Sequence, residues 1–297
     1  MLIGIGLAVA SGQTAPSASA PHDARPGFVG EEWFIGGRPA HLPGARHTDS
    51  GRAGGFPARP ANLARMEYDD DQPKLNHVRL VLFDFDYTLA DSSKGAVQCI
   101  NFALNRLGLS RVSEDRIRKT IGLSLRQTFL TLTSADTANR ADEFVQLFVR
   151  RADEVMADLT YLFDEAPDTI MRLRERGFSL GIVSTKFRYR IAEILRRHEL
   201  GTAFDVIIGG EDVIAHKPDP EGIIKAVSQT DCRLGNTAYV GDSLVDAETA
   251  RRAGVRFIAV LTGTTPREDF AGHEVYGVLA NLRELPPFLA LSESRMS

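Results

Sequence analysis

From residue 78 onward, short apolar runs alternate with amphipathic stretches, and this alternation restricts the chain to few folds. Residues 78–83 read VRLVLF, a run rich in branched side chains that suits a strand buried on both faces. Similar runs follow at 178–183, 206–208, 237–240 and 257–261. Between them lie helical patterns at 168–176, 187–199, 221–229 and 244–253, two of which stop at Gly177 and Gly254. Strands separated by helices predict a parallel sheet covered on both faces, an α/β fold. The block 93–165 breaks the rhythm. It carries helical patterns at 94–107, from Ser113, at 124–132 and at 139–159, with no strand, and so reads as an all-helical insertion after the first strand.

The first 66 residues are of another character. They hold 11 of the 26 glycines and 7 of the 14 prolines, no lysine, and six arginines against four acids. Such segments bury too little apolar surface to offset the entropy of ordering, so residues 1–76 are expected to be a disordered Gly/Pro-rich extension. The apolar start at 2–10, with Ala18-Ser19-Ala20 behind it, has part of a secretory signal. It lacks a basic residue after Met1, and nine residues are far short of the ~20 that span a bilayer. Met66 as the true start is the alternative expectation.

Over all 297 residues, 35 Lys+Arg stand against 39 Asp+Glu, a net charge of −4, too mild to argue for nucleic acid or an anionic membrane. Cys99 and Cys232 cannot form a disulfide framework or a four-thiolate metal site, so a reducing, cytoplasmic setting is expected.

The reactive residues fall at strand ends. In an open parallel sheet, ligands bind outside the carboxyl ends of the strands. The first strand runs into Asp84-Phe85-Asp86-Tyr87-Thr88, and the strand at 178–183 into Ser184-Thr185-Lys186. His216-Lys217-Pro218-Asp219-Pro220 follows the strand at 206–208, and Gly241-Asp242-Ser243, with Asp246 beyond, follows that at 237–240. Asp84 and Asp86 would share a face of a strict strand. Carboxylates that close repel unless a cation holds them or one is protonated. Asp242 adds a third acid, and three oxygen donors with water make a plausible Mg²⁺ site. Ser184 and Lys217 complete a place for a dianionic phosphoryl group. No P-loop and no GxGxxG follows a strand, which counts against nucleotide and dinucleotide readings.

DFDYTLADS, IVSTK, HKPDP and GDSLVDAETA, in this order, resemble the four motifs of the haloacid dehalogenase superfamily, over about residues 78–265. The resemblance implies a Rossmann-like parallel-sheet core at 77–92 and 166–297, with 93–165 as an inserted helical cap. Within the superfamily the sequence is most similar to phosphoglycolate-phosphatase-like and pyrophosphatase-like hydrolases. It implies Asp84 as the nucleophile that forms an aspartyl-phosphate. Asp86 would be the acid and base, with Thr88 steadying their loop. Ser184, with the Thr185 backbone, would hold the phosphoryl group, and Lys217 would stabilise charge. Mg²⁺ would sit on Asp84, Asp242 and the Asp86 carbonyl, with Asp246 in support. Asp86 favours phosphoryl chemistry, since dehalogenases lack that acid.

Two positions depart from the pattern. Tyr87 stands where most relatives have Gly, and would be strained if φ there is positive. Thr185 stands where many have Asn. Residues 120–126 resemble the loop that relatives lower over the site, and Arg126 is a candidate for a second anionic group of the substrate.

The expected function is therefore Mg²⁺-dependent hydrolysis of a small phosphorylated metabolite, a phosphoglycolate-like monoester. The alternatives are a β-phosphoglucomutase-like phosphomutase, an inorganic pyrophosphatase, or a non-catalytic binding protein on the same fold. No nucleic-acid or membrane partner is expected, and the chain would be a monomer or homodimer.

Overall fold

The computed structural model describes residues 78–294, with side chains through residue 290. The expectations for residues 1–76 lie outside the described residues.

The chain begins with β1 (Leu80–Phe83) and the two-residue β2 (Ala90–Asp91). Helices α1 (Ser93–Arg106), α2 (Glu114–Arg118), α3 (Leu125–Leu132) and α4 (Ala141–Val155) follow, and then β3 (Tyr161–Leu162). From there strand and helix alternate: α5 (Ala166–Glu175), β4 (Ser179–Val183), α6 (Arg188–Arg197), β5 (Val206–Ile208) and α7 (Glu221–Ser228). β6 (Thr237–Gly241), α8 (Leu244–Ala253), β7 (Arg256–Val260), β8 (Gly277–Leu279) and α9 (Leu285–Ser294) complete it.

Six strands form one parallel sheet in the order β5-β4-β1-β6-β7-β8, a Rossmann-like α/β fold. β1 is central and buried throughout, which explains its apolar sequence. Its side chains alternate. Val81 and Phe83 join the core on one face with Ile182, Val240 and Leu285, while Leu80 and Leu82 join the other with Ile208, Ile223 and Phe257. The chain builds outward from β1 through β4 to β5, then returns to lay β6, β7 and β8 on the other side. The order therefore reverses between β1 and β6, where an open α/β sheet leaves its ligand crevice.

The helices α1 to α4 have a core of their own. Phe144 lies 4.9 Å from Phe129 and 6.3 Å from Phe148, ring centre to ring centre, against Leu104, Ile117 and Met156. A Ser124–Gln127 capping box starts α3. The sequence predicts a block 93–165 with no strand, but the structure has β3 within it. Tyr161 and Leu162 pair antiparallel with Asp91 and Ala90, tying the two ends of the helical block together. No described helix is long and apolar enough to cross a membrane.

Candidate active site

Register brings the acids together. Phe83 pairs with Val240 across β1 and β6, and the Asp84 amide donates to the Val240 carbonyl at 2.9 Å. Asp84 and Asp242 thus leave adjacent strand ends. Carboxylate oxygens of Asp84, Asp242 and Asp246 lie within 4.8 Å of one another, all three residues being buried. Thr88 Oγ1 donates to Asp242 Oδ1 at 3.4 Å. Gly263 passes so near Asp242 that a Cβ there would collide with its carboxylate, so the backbone closes that side.

Lys217 reaches this cluster from the loop after β5. Its Nζ is 3.0 Å from Asp84 Oδ1 and 2.6 Å from Asp246 Oδ1, and it donates to the Tyr239 hydroxyl at 3.2 Å. That hydroxyl has one proton for the Val183 carbonyl at 2.9 Å or Asp246 at 3.1 Å. The second oxygen of Asp246 accepts from the Ser243 hydroxyl at 2.5 Å, in the capping box of α8. Both Asp246 oxygens are therefore engaged by protein groups, Lys217 and Tyr239 on one and Ser243 on the other.

Burial, then repulsion from Asp246 and Asp86, raises the Asp84 pKa to about 6 despite the attraction of Lys217. Burial, then Asp246 and Asp84, pushes Asp242 well above the carboxylate range. Burial opposes the charge on Lys217, but Asp246 and Asp84 outweigh it and hold the ammonium on.

Asp86 lies beyond the strand, in a turn. β1 ends at Phe83, and the amides of Thr88, Leu89 and Ala90 all turn back to the Phe85 carbonyl. The Asp86 carboxylate is not one of the three clustered ones. It accepts from the Ser92 hydroxyl at 2.6 Å and lies 3.0 Å from Lys186 Nζ, whose side chain is 6% exposed. Tyr87 sits at φ 62° in the same turn, the left-handed region that glycine enters freely. Its buried ring lies under the Arg118 guanidinium, 5.5 Å away, and its carbonyl accepts from Thr262. Burial raises its hydroxyl pKa to about 12.

Ser184 is buried at the end of β4, where its Oγ accepts the Lys186 amide at 3.3 Å. Thr185 donates its hydroxyl to the Gly122 carbonyl of the helical block at 3.3 Å. A pocket of about 70 Å³ lies between that block and the loop after β4, with Asp86 in its wall. Arg126 is not among its lining residues. It is more than half exposed and paired with Asp142 of α4. Sequence reasoning missed Ser92 and Tyr239, because a serine opening a helix and a tyrosine inside an apolar strand read as a cap and as core.

Comparison with known proteins agrees with this geometry. The family described as haloacid dehalogenase-like hydrolase matches residues 81–260. The phosphoglycolate phosphatase of Salmonella paratyphi A is 31% identical over 242 residues, which cover 74% of this chain and 96% of that protein. Among solved structures, a haloacid dehalogenase-like hydrolase from Bacteroides fragilis superposes with a TM-score of 0.68 at 41% identity, covering 70% of this chain and 99% of that one. CbbY from Rhodobacter sphaeroides, solved in complex with phosphate, gives 0.60 at 25% identity, with 70% and 96% covered. The chain belongs to the haloacid dehalogenase-like hydrolases.

Proposed function

We propose that this chain is a Mg²⁺-dependent phosphatase that hydrolyses a small phosphorylated metabolite, a phosphoglycolate-like monoester, through an aspartyl-phosphate on Asp84. The observation that carries the reading is the meeting of the Asp84 and Asp242 carboxylates beside the Lys217 ammonium. Buried, mutually repelling, oxygen-only donors suit a hard divalent cation. Asp84, Asp242 and the Asp86 carbonyl would hold it, and when bound it supplies positive charge to the phosphoryl oxygens.

The chain's own groups do the rest. Asp84 attacks phosphorus as the bond to the leaving oxygen breaks, and Asp86 gives that oxygen its proton. Asp86 then takes a proton from water as the water attacks the phosphorylated Asp84, which releases phosphate and restores the carboxylate. Lys217, fixed by Asp246 and Tyr239, holds Asp84 in place and neutralises developing charge. Ser184 and the Thr185 amide seat the phosphoryl oxygens, and Thr88 steadies the loop through Asp242. The helices at 93–165 act as a cap, excluding water while the phosphoryl group is transferred.

Purified protein with Mg²⁺ should release phosphate from a panel of short phosphate monoesters. Turnover of every productive substrate that is undiminished in Asp84→Asn would overturn the assignment.

A further inference from the structure

We propose that Glu211 is a positioning residue for the phosphoryl seat: with Gly209 and Gly210 it clamps the loop 184–187 through the start of α6. This goes beyond the phosphatase reading and rests on it.

β4 and β5 end at Val183 and Ile208, yet their pairing continues. The Ser184 amide donates to the Ile208 carbonyl at 3.0 Å, and the Gly210 amide to the Lys186 carbonyl at 3.1 Å. Beyond that point a side chain takes over. Glu211 Oε2 accepts the Arg188 amide at 2.8 Å, and Oε1 the Tyr189 amide at 3.4 Å. These are the first two amides of α6, which the helix's own hydrogen bonds cannot satisfy. The N-cap residue, Phe187, has no side-chain acceptor to offer them. A carboxylate from another loop does the capping, with its negative charge at the favourable end of the helix.

The two glycines make room for this approach. A Cβ on Gly209 would lie 2.2 Å from the Arg188 nitrogen, and one on Gly210 2.5 Å from the Thr185 carbonyl oxygen. Asp212 closes the glycine loop on itself, accepting the Gly209 amide at 2.8 Å, and it pairs with Arg188 at 2.9 Å.

The clamp holds the donors of the seat. Ser184 and Lys186 are tied to the loop after β5, while the Thr185 amide between them donates to nothing among the described residues. An unspent donor between two fixed neighbours is preorganised for a phosphoryl oxygen. The clamping loop runs on to Lys217, whose Nζ is 3.0 Å from Asp84 Oδ1, so one loop sets both the seat and the ammonium. Glu211 acts through these groups and not on the substrate. Its positioning role and its charge have opposite signs. By charge alone, removing a carboxylate from this loop favours an oxyanion. Removing a group that fixes the seat disfavours it.

The test is inhibition of p-nitrophenyl phosphate hydrolysis by orthovanadate with Mg²⁺ present, read together with kcat, KM and the melting temperature. Glu211→Ala should raise the vanadate Ki about tenfold and lower kcat/KM by a similar factor. Glu211→Gln keeps one acceptor oxygen for one of the two amides, and should raise Ki about threefold. Gly210→Ala, which drives a methyl against the Thr185 carbonyl, should raise Ki at least as much as Glu211→Ala. Asp205→Asn is the structural control. The Asp205 carboxylate accepts the Leu180 amide at 2.9 Å, near the opposite end of β4. Its loss should lower the melting temperature and leave Ki unchanged. A vanadate Ki that is unchanged or tightened in the Glu211 variants, whatever their melting temperature, would overturn the proposal. Should Glu211→Ala fail to fold, Glu211→Gln decides on the same terms. A wild type that releases no phosphate from any monoester would overturn the phosphatase reading, and the seat with it.

Discussion

The carboxyl end of the sheet and the pocket under the helices are neighbours, yet they are built by different means. At the sheet end, short side chains leave adjacent strands whose register is fixed by the β1–β6 ladder, so Asp84 and Asp242 have little freedom. In the pocket, long side chains from a loop and a helix, Lys186 and Arg190, reach across to partners on other elements, Asp86 and Asp153. A scaffold of the first kind suits chemistry that tolerates little displacement. The second kind can change its ligand by changing one side chain without disturbing the strands.

The largest effects should come from the sheet end. Asp84→Asn should lower turnover by about 10⁴-fold or more while the protein stays folded, as measured by phosphate release and circular dichroism. Loss on that scale from a pocket residue, with Asp84→Asn mild, would break the comparison. Chelation of divalent metal, or Asp242→Asn, should reduce activity on the order of 10³-fold, and Mg²⁺ should restore the chelated wild type.

Smaller effects concern the supports. Tyr87→Gly would relieve about 1–2 kcal/mol of left-handed strain but empty a buried ring site worth about 3–5 kcal/mol, so a net loss of about 2 kcal/mol is expected in denaturant unfolding. A stabilised Tyr87→Gly protein would show that the ring contributes nothing to the join with Arg118. Tyr239→Phe should cost about 1 kcal/mol of stability and lower kcat more than it raises KM, because Lys217 and Asp246 lose an anchor.

One further effect is electrostatic. A carboxyl whose folded pKa is raised to about 6 weakens the metal-free fold once it ionises, so its stabilising share is present below the unfolded pKa and is lost as pH rises through about 6. Metal-free Asp84→Asn should therefore melt above the wild type at pH 8, with the gap closing toward pH 4. A gap that widens on acidification would contradict the raised pKa.

Much of this was legible in the sequence, for identifiable reasons. β1, β4 and β6 are apolar runs that end in polar residues, and parallel pairing then forces Asp84, Ser184 and Asp242 to one edge of the sheet. The acids at Asp84 and Asp242 were readable from pattern alone. The contacts of Asp86 with Ser92 and Lys186 were not, because they depend on a turn at Phe85 rather than on strand periodicity. The β2–β3 pair was missed because two-residue strands carry no period, and their partners lie 72 and 70 residues apart, Ala90 with Leu162 and Asp91 with Tyr161. β8 and α9 were missed too, a three-residue edge strand and a helix that opens on Leu285-Pro286-Pro287. Arg126 and Arg190 are alike in sequence, each an arginine early in a helix. Only tertiary structure shows that one faces solvent and the other is buried and paired with Asp153.

The most direct measurement is mass spectrometry of protein quenched in acid during turnover with Mg²⁺. The account predicts one added PO₃ unit on the peptide containing Asp84, and none in Asp84→Asn. A phosphoryl group on any other residue, retained when Asp84 is replaced, would contradict it.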